Sequence, residues 1–179
     1  METDGSLAEA SRGEFEQVVL PHLDAAYTVA RYLLRDEQAA GDAVQEAFLR
    51  AVRHYDGYRG DNARAWLLTI VRNCCATTRA RGRAESVFVS FDEREHGEHG
   101  EEPAQELELA RSSAAGAVRA ALDALPPDAR EVLVLRELDG MSYREISLIV
   151  GTPIGTVMSR LARARKRVQD LLRRVERDG

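Results

Sequence analysis

The stretch from Met141 to Arg167, MSYREISLIVGTPIGTVMSRLARARKR, constrains this chain more than any other. It reads as two helices joined by a tight turn, the second with one apolar and one basic face. That is the sequence form of a helix-turn-helix, which lays its second helix in the major groove of DNA. Ser142 and Glu145 stand at S-x-x-E spacing, so each can satisfy an orphan backbone N–H at a helix start, and Met141 and Ile146 flank them as a hydrophobic staple. Gly140 suits the end of the preceding helix and Gly151 the end of the first helix of the pair. Thr152 is expected to cap the second helix, with Pro153 at its first position, where the missing N–H costs nothing. Ile154, Val157, Leu161, Ala164, Val168 and Leu171 then follow steps of three and four, a core-facing stripe. Thr156, Ser159, Arg160, Arg163 and Arg167 fall on the other side, where hydroxyls and guanidiniums suit phosphate oxygens and purine edges. The plainer reading is an amphipathic helix with a solvated basic face. Caps, turn glycine and polar face at these offsets together favour the DNA-binding motif.

The remaining residues must explain what carries this motif. A chain of 179 residues holds one medium domain or two small ones, and 44% hydrophobic with 31% charged residues describes a soluble globular protein. No apolar run approaches the roughly 20 residues that span a bilayer. The N-terminus is polar and acidic, unlike a secretory signal or an anchor, so a cytoplasmic protein without membrane insertion is expected. The net charge of −5 argues against nucleic acid until its distribution is read. Asn62 to Ala84 contains no acidic residue but carries Arg64, Arg72, Arg79, Arg81 and Arg83. The segment after Thr152 is again arginine-rich, and a strongly acidic stretch lies between the two. Adjacent Cys74 and Cys75 read as small buried residues of a helix, with redox sensing the sharper alternative. His96 and His99 stand in the acidic stretch without a matching ligand cluster, so no metal is expected. No phosphate-binding loop or nucleophile constellation points to catalysis, and no cofactor is implied.

Hydrophobic periodicity predicts an all-α protein of two small helical domains. Residues 1–13 form a polar N-terminus. Residues 14–82 form the first domain. A helical stretch from Glu14 to about Leu34, divided at Pro21, is apolar through Phe15, Val18, Val19, Leu23, Tyr27, Ala30 and Leu33. Asp36 can cap a helix running to about His54 with Ala40, Val44, Ala47, Phe48 and Ala51 inward. A Gly-, Asp- and Tyr-rich loop precedes a third helix, about Ala63 to Arg81, burying Trp66, Leu67, Ile70, Val71 and Cys74. Residues 83–109 read as an acidic linker, too polar to fold alone. Its one apolar run, Val87 to Phe91, suits a docking segment or strand-like piece. Residues 110–179 form the second domain, whose core is expected from Val118, Leu122, Leu125, Val132, Leu133, Leu135 and Leu138 ahead of the helix-turn-helix.

Three blocks, Asp42 to Arg50, Tyr58 to Asn73 and Leu125 to Glu137 running into the helix-turn-helix, resemble the extracytoplasmic-function sigma factors, small members of the sigma-70 family of bacterial RNA polymerase initiation factors. The order and the intervening linker also match; Ala43 and Ala63 stand where leucine and an aromatic residue are common. The resemblance implies a protein that binds core polymerase and directs initiation at promoters. Asp42, Gln45, Glu46, Leu49 and Arg50 would dock on the clamp helices of the largest subunit, and their helical spacing lets them form one patch. The loop Tyr58, Arg59, Gly60, Asp61 and Asn62, with Arg64, Arg72 and Asn73 on the following helix, would handle the −10 element, where bases leave the stack and the backbone needs cations. Trp66 reads as a core residue rather than a stacking platform. The acidic linker would thread through the polymerase. Gly155, Thr156, Ser159, Arg160, Arg163 and Arg167 would meet the −35 element. Further implied partners are the polymerase flap region and an anti-sigma factor covering both domains. The competing reading is a stand-alone helix-turn-helix transcriptional regulator, which would carry a strand-containing receiver or ligand domain upstream.

Overall fold

Asp36 shows how local chemistry sets the elements. Its backbone is extended and its carboxylate accepts a hydrogen bond from the Ala39 N–H, so a helix starts at the next residue. In the computed structural model, which describes residues 13–92 and 114–178, every regular element is helical. Helix α1 (13–19) ends in a short 3-10 turn (Leu20–His22) that Pro21 initiates, followed by α2 (Leu23–Leu34) and α3 (Glu37–His54). A second 3-10 turn (Tyr55–Gly57) leads through a loop to α4 (Ala63–Asp92). The second unit comprises α5 (Ala114–Asp123), α6 (Pro127–Glu137), α7 (Tyr143–Val150) and α8 (Ile154–Asp178).

The first core lies between α1, α2, α3 and α4. Small residues on α3, namely Ala40, Ala43, Ala47 and Ala51, are buried and let α2 and α4 approach closely. Leu67, Leu68 and Val71 fill the centre from α4, each worth about 1.5–3 kcal/mol of burial. Ala43 and Ala63 are both buried, so the two alanines are accommodated by packing rather than by exposure. Tyr27, expected inward, is 39% exposed, because Ala26 and Val29 take the inward positions of α2. Cys74 and Cys75 are both buried and free, and burial raises both thiols, Cys75 to about 12. Neither is poised as a thiolate.

Helix α6 packs against α2 on one side and against α7 and α8 on the other. Such a helix is covered on nearly all faces, so Arg130, Glu131, Val132, Leu133, Val134 and Leu135 are consecutively buried. Val118 and Leu138, expected in the core, are instead 43% and 48% exposed. They line an open apolar groove of about 250 Å³ with Leu133, Val134 and Val168. Arg130 is the central tie. Its guanidinium donates to the carbonyls of Leu122, Asp123 and Leu125 at 2.9 Å, and across to Tyr32 at 3.4 Å. A cation at the C-terminal ends of α5 and α2 meets both carbonyl partners and the negative end of each helix dipole. Arg35, in the left-handed region with φ 64°, ends α2 and reaches the backbone carbonyl and carboxylate of Asp123.

One boundary differs from the sequence expectation. Helix α4 does not stop at Arg81 but continues through Gly82 to Asp92, so Val87 to Phe91 is helical rather than strand-like, and the expected linker begins later. A single glycine costs a helix about 1 kcal/mol relative to alanine, too little to stop one already propagating. Residues 93–109 of that linker, His96 and His99 within it, the polar residues 1–12 and the expected start of the second domain at 110–113 lie outside the described residues. Among the described residues, no group of acidic, histidine and cysteine side chains is arranged to hold a metal, and no helix is long and apolar enough to cross a membrane.

Candidate nucleic-acid interface

The turn before α8 is built as its residues require. Ser142 accepts from the Glu145 N–H at 3.2 Å while the Glu145 carboxylate accepts from the Ser142 N–H at 2.7 Å, a complete capping box for α7. Met141 and Ile146 are buried beside it. Gly140 and Gly151 adopt φ of 65° and 66°, which glycine reaches without a Cβ penalty. Thr152 does not cap α8 as expected. The helix begins at Ile154, the Pro153 carbonyl accepts from the Thr156 and Val157 N–H groups, and the Thr152 hydroxyl is buried without a hydrogen-bond partner. The Ser147 hydroxyl holds the turn by donating to the Thr152 carbonyl at 2.6 Å.

Val157, Leu161 and Ala164 are buried and anchor α8, with Val168 partly buried behind them, while Ile154 at its start is 43% exposed. Outward, Gly155, Ser159, Arg163 and Arg167 are exposed at successive steps of four, one continuous stripe. Thr156 is half-buried. Arg160 is also half-buried and leans to Asp128 at 3.4 Å, so it sits at the edge of the stripe. Beside it, Asp128, Arg160, Arg163, Lys166, Arg167 and Arg174 line a cleft of about 560 Å³. With Asp170 also on its wall, five cations around two carboxylates leave a net positive surface suited to a polyanion. Lys166 and Arg174 were not among the expected residues, although the basic run signalled the first.

In the first unit, the loop residues are fixed by aromatic packing that the sequence did not reveal. The Tyr58 ring lies 5.0 Å from Trp66 and 6.0 Å from Tyr55, and Tyr55 in turn meets Phe15 edge-on at 5.2 Å. Trp66 is therefore partly buried and packs on the core, as expected. Burial, and then the Asp61 carboxylate, raise the Tyr58 phenol, which stays neutral. Arg59, Gly60 and Asp61 are exposed. Arg59 donates to the Asp56 carbonyl at 2.6 Å, which tightens the loop. Asn62 caps α4, its side-chain oxygen accepting from Ala65 N–H at 2.9 Å, and its amide donates to Glu145.

Arg64 and Arg72 are not directed into open solvent. Arg64 donates to Asp139 at 2.7 Å and Arg72 to Glu131 at 2.8 Å, both carboxylates belonging to the second unit and almost fully buried. Asn73 is exposed beside Arg72. On α3, Asp42, Gln45 and Leu49 are exposed along one face, with Glu46 and Arg50 paired beside them at 2.7 Å. The Arg50 hydrogen bond holds the Glu46 carboxyl below its ordinary value. Val52, 51% exposed one turn on, extends this face and was not expected.

A helix-turn-helix unit with a basic outward stripe, packed on a second helical unit with its own arginine-bearing helix and aromatic loop, defines a two-unit, all-α DNA-binding protein. The sequence pattern of sigma-70 region 2 matches residues 18–85, and that of sigma-70 region 4 matches residues 115–168. The chain is 39% identical to the ECF RNA polymerase sigma-E factor of Escherichia coli over 160 residues, 83% of each chain. It is 35% identical to the RNA polymerase sigma-H factor of Pseudomonas aeruginosa over 187 residues, 96% of this chain and 97% of that one. It is 32% identical to the ECF RNA polymerase sigma factor SigE of Mycolicibacterium smegmatis, covering 94% of this chain but 65% of that relative's length. Among solved structures, the sigma factor RpoE in complex with the anti-sigma factor NepR from Bartonella quintana superposes with a TM-score of 0.71 at 32% identity, over 89% of this chain and 97% of that one. CnrH in complex with the cytosolic domain of CnrY gives 0.65 at 29%, over 94% and 93%. The chain belongs to the sigma-70 family of RNA polymerase initiation factors, in its extracytoplasmic-function branch.

Proposed function

We propose that this chain binds core RNA polymerase and directs it to promoters by reading two DNA elements, through surfaces assignable to individual residues. The observation that carries this is the exposed stripe Gly155, Ser159, Arg163 and Arg167 on α8, directly after the glycine turn. Arginines at that spacing reach base edges and phosphates of one major-groove face, and Gly155 permits close backbone approach at the helix N-terminus. Thr156 and Arg160 complete the −35 reader at its edge.

The Tyr58 to Asn62 loop, with Arg64, Arg72 and Asn73 on α4, serves the −10 element. A rigid aromatic support beneath a polar loop suits a pocket that holds an unstacked base. The α3 face of Asp42, Gln45, Glu46, Leu49 and Arg50 docks on the clamp helices, mixing an apolar contact with charges that set register. The open groove around Val118, Leu133, Leu138 and Val168 offers the flap region an apolar seat. The domain division follows, with α4 carrying the first unit past the expected boundary at 82 to Asp92: the first unit serves core polymerase and the −10 element and residues 110–179 the −35 element, with the acidic segment between threading the polymerase. The chain works in the cytoplasm, where core polymerase is, without catalysis or cofactor of its own. The complex of RpoE with the anti-sigma factor NepR supports an anti-sigma partner for this chain, and we take that partner to cover both units.

A stand-alone regulator is less well supported, since the homology extends through both units and no strand occurs among the described residues. Run-off transcription separates the two. With core polymerase and genomic promoter fragments, the chain should give discrete transcripts. DNA binding without core, and no specific start with it, would favour the regulator.

A further inference from the structure

We propose that Met158, set between Gly155 and Ala162 on α8, reads the 5-methyl group of thymine in the upstream element, a specificity-determining residue beside the arginines. The inference rests on the −35 reading of α8 and names the base chemistry that one side of this helix takes. Met158 is 51% exposed at the start of the second turn, the part of a recognition helix that meets base edges. Gly155, Met158 and Ala162 follow steps of three and four and are all exposed, so they form a row of their own beside Ser159 and Arg163. The outward face is thereby split along its length. One side bears hydroxyl and guanidinium groups, the other a bare Cα, a thioether and a methyl. A single exposed apolar side chain asks for no explanation by itself. This one differs in its surroundings, for Met158 lines neither the basic cleft nor the apolar groove. A Cβ added at Gly155 would meet nothing within 4 Å, and its φ is not positive, so neither packing nor backbone demands a glycine there. The open space at that point is room for an outside partner.

In the major groove the base pairs differ in their donors and acceptors, and thymine alone adds a methyl group. A guanidinium or hydroxyl gains nothing from that methyl, whereas an apolar side chain removes it from water. Methionine is unbranched and flexible, and its polarisable sulfur adapts to irregular apolar surfaces. With Gly155 and Ala162 on either side, no bulk holds the helix away from the base edge. Ser159 and Arg163 take the hydrogen-bonding edges and phosphates along the neighbouring row. The preferred upstream element therefore carries a thymine opposite the start of α8, and losing the contact costs preference rather than overall grip.

Holoenzyme made with the full chain tests this by selecting its upstream element from a promoter library randomised there. Each thymine of the selected element is then replaced singly by deoxyuridine, which removes the methyl and leaves the hydrogen-bonding edge intact. The parent should lose about fourfold in affinity at one thymine, the factor that one buried methyl is worth. M158A should bind the thymine element about fourfold less tightly and lose nothing further with deoxyuridine at that position, the non-additivity of two groups in contact. M158L, which keeps an apolar side chain of similar volume, should keep the sensitivity. R163A should keep the deoxyuridine loss while weakening preference elsewhere in the element. An element without thymine, no loss at any deoxyuridine in the parent, or an undiminished loss in M158A overturns the methyl reading. In each of those cases a weakened sequence preference in R163A would still uphold the −35 reading, whereas a library with no enriched upstream element would overturn both.

Discussion

Helices α4 and α8 carry similar arginines into opposite circumstances. On α8, Arg163 and Arg167 stand exposed on the face away from Val157 and Leu161. On α4, Arg64 and Arg72 are half-buried against carboxylates of another unit. Neither composition nor helical periodicity distinguishes the two. What differs is the neighbour: α8 packs one side on its own unit and leaves the other to solvent, whereas α4 packs its own core on one side and α7 on another. A basic helix is available to a polyanion only if nothing folded nearby supplies an acidic surface first.

The comparison can be strained at its hinge. Arg130→Leu should have the largest effect, because it strips three buried carbonyls of α5 and its following turn of their donor and cuts the link to Tyr32. Urea unfolding should show a loss of about 3 kcal/mol, and a loss below about 1 kcal/mol would mean that water or backbone shifts replace the guanidinium. Arg163→Ala comes next. It should cost about 1–3 kcal/mol in binding the preferred −35 sequence, with little change in stability. A loss that is equal across all sequences would make Arg163 a phosphate contact rather than a base reader.

The smallest effect concerns pH, and two carboxylates of the seam oppose each other. Glu145 is held below 4.5, chiefly by its hydrogen bonds with Ser142, so its stabilising contribution is complete above 4.5 and lost as pH falls through its folded value. Asp139 is raised above 3.8 by burial, so its contribution is complete below 3.8 and lost as pH rises through its folded value. Melting temperatures between pH 3 and 7 should therefore show that E145Q falls less than the parent towards acid, and that D139N falls more. The same slope in both variants would place the titration elsewhere.

Much of this was legible from residues whose local chemistry has one good solution. Ser142 with Glu145, Gly140, Gly151 and the Val157–Leu161–Ala164 spacing specify the helix-turn-helix without help from distant contacts. The α3 stripe of Ala40, Ala47 and Ala51 was equally plain. Arg130, Glu131 and Asp139 were not, because a charged residue is buried only when a partner waits in three dimensions, and theirs lie on other elements. Val118 and Leu138 failed in the other direction: periodicity places them on an apolar face, but that face opens into a groove. The continuation of α4 past Gly82 was not legible because the polar, acidic composition of residues 83–109 reads as a segment that cannot fold alone, whereas its first part only extends a helix already propagating. The aromatic support of Tyr58 by Tyr55 and Trp66 depends on how a loop folds back, which spacing does not encode.

Helix α4 has a mechanical consequence. Thirty residues without a break span about 45 Å at 1.5 Å per residue. The Asn62 cap sits at one end and the start of the acidic segment at the other. A rod of that length would work as a ruler: under the proposed docking of α3 on the polymerase and of the −10 strand on the first turn of α4, the place where the acidic segment begins its path is already measured out.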